Sequence, residues 1–154
     1  EFQEYDFVVL QWMNFGANGH IYKPNYEGRD YREFYTTVAD FSDIDATFKI
    51  DSKVCWNLNK INKWHLCGVH CGAGNWVKTD GIKNRRSTVY DKMYLSHYVT
   101  RSFEEYIWKL YVRGMHTNKR HRRIDDFFQI NKDMLDKYDD CMKFKEEYLK
   151  KNNK

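Results

Sequence analysis

No stretch of this chain approaches the roughly 20 apolar residues that a membrane-spanning helix requires. Internal repeats and low-complexity linkers are also missing, and we find no signal peptide. The net charge is only +4, with cations and acids mixed along most of the chain, so a general nucleic-acid surface is not required. These absences predict a cytoplasmic protein, leave peripheral membrane contact open, and fit one domain over residues 1–154.

Nothing about the four cysteines suggests a disulfide framework, and their use is typical of a reducing compartment. Two imidazoles and two thiols do lie within eight residues: His65, Cys67, His70 and Cys71. These are zinc-ligand types, but structural zinc sites draw on two separated pairs. The spacing here favours a strand followed by a turn, and zinc stays an open alternative.

A dense cationic run occupies residues 118–123, with Lys119, Arg120, Arg122 and Arg123. The simplest interpretation is a solvated turn before the next helix. The functional alternatives are binding to a diphosphate, an anionic lipid or a nucleic acid. Aromatic residues, at 18% of the chain, exceed what a core of this size requires and favour rings that stack on sugars or line an interface.

Hydrophobic periodicity predicts an α/β chain with a short mixed sheet and flanking helices. Strands are expected over residues 5–13, 47–50, 54–56, 64–69 and 89–98, with a Gly-rich turn at 14–19 and a hairpin-like turn at 78–81. Helices are expected over residues 29–38, 103–113 and from 124 onward. Residues 143–154 form a charged helical tail that we expect to fray.

The most informative stretch is the junction of the last strand and the second helix, residues 95–114. Ser102 and Glu105 have the spacing of a capping box, in which each side chain satisfies the other's backbone N–H. Apolar residues then repeat at helical spacing, and Gly114 supplies a left-handed stop: Phe103, Tyr106, Ile107, Leu110 and Tyr111. His97 lies just before the cap, where α/β enzymes tend to hold phosphates and metals.

The segment from Ser96 to Gly114 resembles the "HY-x-T-(K/R)-S-x-E-E … RG" motif of glycosyltransferases of the family 92 type and of related family-2-like enzymes of capsule and glycan synthesis. Residues 10–20 resemble the same family's "W-x-x-FG-x-x-G" segment. Residues 48–50 with Val54, and then Val69-His70, lie between these segments where the family usually has a "K-S-I-V" strand and a "PH" element. The four elements occur in the family's order across about residues 5 to 130.

The resemblance implies the C-terminal, acceptor-side part of a type A glycosyltransferase fold. In such enzymes a late histidine completes the coordination of Mn²⁺ or Mg²⁺ on the sugar donor's diphosphate, and His97 matches it. Arg101 would neutralise phosphate charge. The acceptor pocket would be shaped by Trp12, Phe15, Gly16 and Gly19.

The family's nucleotide-binding half, with an Asp-x-Asp metal motif after an apolar strand, has no counterpart in this sequence. Asp43 and Asp45 follow a polar loop and are poorly suited to that role. We therefore expect a chain that is inactive by itself in transfer from a nucleotide sugar to a glycan, with a second chain as one source of the missing half. The competing class is a non-catalytic glycan-binding or basic nucleic-acid-binding module.

Overall fold

The computed structural model describes residues 3–39, 52–60, 76–78, 93–114 and 123–152. Its contacts divide the chain into two units. The sheet unit comprises residues 1–13 and 44–97, and the helical unit comprises residues 14–43 and 98–154. The expected strands over 47–50 and 64–69, and most of the turn at 78–81, lie outside the described residues.

The sheet unit is built on strand β1 (Phe7–Asn14), whose first four residues form an apolar run that is buried throughout. Such a continuous run is typical of a strand whose two faces are both covered. β2 (Ser52–Trp56) is antiparallel to β1, with Phe7 opposite Trp56, and β3 (Trp76–Lys78) is parallel to it, with Phe7 opposite Trp76. β4 (Leu95–His97) also pairs with β1.

The helical unit contains α1 (Phe103–Ile107), which continues as a π-helix (Trp108–Arg113) and ends at Gly114 with a φ of 74°. α2 (Ile124–Ile130) is followed by a 3₁₀ helix (Lys132–Lys137) and then by α3 (Tyr138–Asn152). The mixed sheet and these helices confirm the coarse α/β class, while the type A glycosyltransferase fold stays a prediction. The tail is helical as far as Asn152, and its fraying stays a prediction.

The core of the helical unit is a cluster of buried aromatic and aliphatic side chains from α1, α2 and α3. Phe103 is at its centre: its ring contacts Phe127 and Phe128 at centroid distances of 5.0 and 5.9 Å. Phe144 of α3 contacts the same ring at 6.3 Å. The burial of these rings anchors the charged tail, which explains why α3 extends through it.

Residues 29–38, predicted as a helix, form only a 3₁₀ turn (Tyr31–Glu33), so this prediction is wrong. Asp30 caps that turn, and the chain then extends to make a β-bridge between Phe15 and Val38. The backbone N–H of Gly16 donates to the carbonyl of Thr37 at 3.0 Å. Tertiary pairing with the turn after β1 therefore overrides local helical periodicity.

The apolar stripe of α1 also departs from the prediction at its far end. Phe103, Tyr106 and Ile107 are fully buried, but Tyr111 is half exposed. The reason is the π-helix that begins at Trp108, because its i→i+5 hydrogen bonds widen the turn and rotate later side chains off the α-helical stripe.

Gly16 and Asn131 form a tight contact that the sequence did not predict. A Cβ added at Gly16 would lie 2.7 Å from the side-chain oxygen of Asn131. That oxygen accepts a hydrogen bond from the backbone N–H of Ala17 at 2.5 Å, and the amide nitrogen donates to the carbonyl of Phe127 at 2.8 Å. Asn131 is buried, so it cannot easily move aside.

We expect Gly16→Ala to destabilise the helical unit by about 1–3 kcal/mol, the usual range for overpacking. The measurement is urea unfolding of the single variant, and again in an Asn131→Ala background, where the clashing oxygen is gone. The cost of Gly16→Ala should shrink in that background, as a double-mutant cycle would register. An equal cost in both backgrounds would show that Asn131 is not the obstacle.

Candidate functional site

The sheet unit brings Trp12 and His97 together from the two motif-bearing segments. Their rings are stacked, with centroids 3.6 Å apart and planes inclined by 22°. The ammonium of Lys53 on β2 lies 5.5 Å from the centroid of the Trp12 ring. His97 is half-buried, and the indole covers one face of its imidazole. A metal ion would be bound in the plane of the imidazole through a ring nitrogen, so stacking on the ring face leaves the metal role of His97 a prediction.

In the helical unit, Phe15 stacks on Tyr98 at a centroid distance of 5.0 Å and an interplanar angle of 16°. The ring of Tyr31 meets Tyr98 edge-on, also at 5.0 Å. The backbone N–H groups of Phe103 and Glu104 donate to the carbonyls of His20 and Ile21. The same two sequence segments thus meet in this unit as well, about 80 residues apart in the chain.

A cavity of about 140 Å³ opens beside Gly16. Its wall combines apolar side chains of Val38, Ala39 and Ile130 with the polar residues Thr37 and Asp133. The cavity is smaller than most ligand pockets, which have volumes of roughly 300–1,000 Å³. Gly16 lines this cavity, but the space where its side chain would lie is filled by Asn131, and its acceptor role stays a prediction.

Gly19 lies in the turn that follows β1, where its backbone conformation is left-handed. Its φ is +76°, and the preceding Asn18 is also left-handed, with a φ of 57°. The carbonyl of Gly19 accepts a hydrogen bond from Lys137 Nζ at 2.8 Å. A glycine favours this backbone conformation because it has no Cβ.

Arg101 is held in the left-handed region, with a φ of 56°, which is uncommon for a residue with a long side chain. Its guanidinium lies 4.5 Å from the centroid of the Tyr31 ring, and Nη1 donates to Glu105 Oε1 at 3.2 Å. Nε is buried and has no hydrogen-bond partner among the described residues. The Glu105 carboxylate therefore offsets the positive charge of the Arg101 guanidinium, which the resemblance had assigned to neutralising a phosphate.

Glu105 is the centre of a polar network that sequence reasoning missed. Its side chain is only 12% exposed and accepts hydrogen bonds from Tyr35 Oη at 2.7 Å, Ser102 Oγ at 3.0 Å and Tyr26 Oη at 3.1 Å, in addition to that from Arg101. Tyr35 belongs to the segment that was predicted as a helix. The only sequence signal for this network was the glutamate at the third position of α1.

The predicted capping box is half formed. Ser102 Oγ accepts a hydrogen bond from the backbone N–H of Glu105 at 3.2 Å, as expected. The backbone N–H of Ser102, however, donates to Tyr35 Oη at 3.3 Å. In a full capping box the Glu105 carboxylate would accept the hydrogen bond from the backbone N–H of Ser102. Tyr35 accepts that bond instead, and the Glu105 carboxylate accepts hydrogen bonds from side chains.

These contacts perturb the titration of three groups. Burial opposes ionisation of Glu105, but the hydrogen bonds from Tyr35, Arg101 and Ser102 outweigh it, so the pKa of Glu105 is lowered. Burial, and then the neighbouring Glu105 carboxylate, raise the pKa of Tyr35. Burial also raises the pKa of Tyr26. Glu105 is therefore a carboxylate and the tyrosines are neutral donors at neutral pH.

Among the residues that the structure describes, no group of three or more His, Cys, Asp or Glu side chains is placed to hold a metal ion. Asp43 and Asp45, the His65 to Cys71 cluster, and residues 118–122 of the cationic run lie outside them, as do residues 48–50 and Val69-His70. The described cysteines are Cys55, which is exposed, and Cys141, which is buried; both are free thiols.

Comparisons with protein-family models, with curated proteins and with solved structures find no match to this chain. No helix in the described part of the chain is both long and apolar enough to cross a membrane.

We expect Glu105→Gln to lower the free energy of unfolding by about 1–3 kcal/mol at pH 7, because an amide cannot replace all four accepted hydrogen bonds. A carboxylate whose pKa is lowered by folding contributes its full stabilisation at pH values above its ordinary pKa, near 4.5. That contribution is lost as the pH falls through the lowered pKa of the folded state. The gap between the wild type and the variant should therefore narrow on acidification.

Urea unfolding at several pH values measures this gap. Glu104→Gln is the matched control. It makes the same chemical change at the neighbouring residue, whose carboxylate accepts one exposed hydrogen bond, from the backbone N–H of Lys23. A gap for Glu105→Gln that stays constant from neutral to strongly acidic pH would contradict the assigned role of its charge.

Proposed function

We propose that this chain is the acceptor-side part of a glycosyltransferase that transfers a sugar from a nucleotide-sugar donor to a glycan acceptor. The observation that supports the proposal best is the meeting of the two most specific motif segments, residues 10–20 and 96–114. They meet in the sheet unit, where Trp12 stacks on His97. They meet again in the helical unit, where Phe15 stacks on Tyr98.

The proposed roles differ in the support they have. Gly16 lines a cavity, which suits an acceptor role, and Trp12 offers a large ring beside His97. Phe15 packs on Tyr98 and Gly19 makes a turn, so their contribution would be to shape the surroundings. Arg101 is already paired with Glu105, and a diphosphate would have to compete for its guanidinium.

His97 is the residue through which the proposal can be tested most sharply. In the complete enzyme Mn²⁺ or Mg²⁺ would stabilise the leaving nucleoside diphosphate. One imidazole is too small a donor set for such an ion, so further ligands must come from elsewhere. The described part of the chain would contribute the imidazole of His97, which is stacked on Trp12.

The first expected outcome concerns turnover. The chain alone should release no nucleoside diphosphate from a panel of nucleotide sugars with Mn²⁺ and glycan acceptors, because the resemblance places the nucleotide-binding strands and the Asp-x-Asp motif outside this sequence. Robust release would contradict that part of the proposal.

The second expected outcome separates chemistry from packing at His97. Mn²⁺ with a nucleoside diphosphate should broaden the imidazole resonances of His97 in NMR spectra. His97→Phe keeps an aromatic ring on Trp12 and should retain stability, whereas His97→Ala should lose about 0.5–1.5 kcal/mol of ring contact.

Both variants should bind the manganese–diphosphate complex more weakly than the wild type. Unchanged binding by His97→Phe would make His97 a packing residue and remove the main site assignment. The resonances of Trp12 should be followed as well, since its ring reports on the same contact.

A further inference from the structure

The π-helix carries a surface that the proposed function leaves unused. Trp108, Tyr111 and Val112 are 40%, 51% and 52% exposed, respectively. The guanidinium of Arg113 lies 5.7 Å from the centroid of the Trp108 ring, five residues earlier, as expected for the i→i+5 repeat of a π-helix. We call these four residues the aromatic–cationic patch. Exposed rings and an aliphatic side chain beside a cation mark an interaction surface.

The sequence around the patch is strongly one-sided in charge. From residue 106 to residue 124 there are six Lys or Arg residues and no Asp or Glu. Four residues, 114–117, separate the patch from the cationic run. Gly114 ends the π-helix before the run, and the carbonyl of Arg123, the last residue of the run, accepts a hydrogen bond from Tyr106 Oη at 3.0 Å. The last residue of the run is therefore bonded to the helix that continues into the patch.

We propose that the aromatic–cationic patch docks on an anionic lipid surface. Trp108, Tyr111 and Val112 would enter the boundary between headgroups and acyl chains, where amphipathic rings are stable. Arg113 would face lipid phosphates, and the neighbouring cations strengthen attraction to an anionic leaflet.

Membrane is a better partner for this patch than nucleic acid. A nucleic acid would gain from the charges and from stacking on the rings, but it offers no apolar medium for an aliphatic side chain. Val112, half exposed, gains by burial only in a lipid or similar apolar phase. The two partners thus differ in whether Val112 contributes.

The test is sedimentation of the full chain with vesicles of phosphatidylcholine alone and of phosphatidylcholine mixed with phosphatidylserine. Binding should require the anionic lipid and should fall as salt is added. Arg113→Glu changes the charge by two units and should weaken binding about 30-fold, since each charge near the surface contributes about fivefold. The double variant Tyr111→Ser/Val112→Ser should weaken binding to anionic vesicles without changing the net charge.

Lys150→Glu, an equal change of charge at an exposed position of α3, is the matched control and should weaken binding far less. Urea unfolding of each variant checks that the fold is kept. Equal binding to both vesicle types, or an equal effect of Lys150→Glu and Arg113→Glu, would overturn the proposal. A third result would overturn it as well: the chain binds duplex DNA or RNA more tightly than anionic vesicles, and Tyr111→Ser/Val112→Ser does not weaken that binding. The patch would then be assigned to nucleic acid.

Discussion

The helical unit depends on one buried carboxylate. Glu105 accepts hydrogen bonds from a segment near residue 30, through Tyr26 and Tyr35, and from the junction before α1, through Arg101 and Ser102. An ionised group that is 12% exposed is stable only when its lone pairs are used, and here four donors converge on it. The network fixes where α1 begins and holds Arg101 in a left-handed conformation that the backbone alone would disfavour.

Sequence reasoning predicted the elements whose local signals agree with their surroundings. The apolar run at the start of β1 and the serine cap of α1 are examples, since each is decided by residues close together in the chain. It failed over residues 29–38, where periodicity favoured a helix but pairing with Phe15 and Gly16 extends the chain. It failed again at Tyr111, because nothing in the sequence indicates that α1 turns into a π-helix.

In the candidate site, too, local motifs could be predicted from the sequence and long-range contacts could not. His97, Arg101 and Gly16 could be singled out from motifs, but their partners could not. Asn131 fills the space against Gly16 from 115 residues away in the sequence, and an isolated asparagine after a short helix carries no signal of that contact. The partners of Glu105 were likewise hidden, because Tyr26 and Tyr35 belong to a segment whose pattern was misread. Long-range polar contacts of this kind depend on the completed packing rather than on local spacing.

The proposed function depends most on the meeting of the two motif segments, and the Trp12–His97 stack is the contact where it can be measured. The most direct measurement is the nuclear Overhauser effect between the ring protons of the two side chains in the full chain. We predict strong cross-peaks, since the ring centroids are 3.6 Å apart. Their absence, with both rings assigned in a folded sample, would contradict the account.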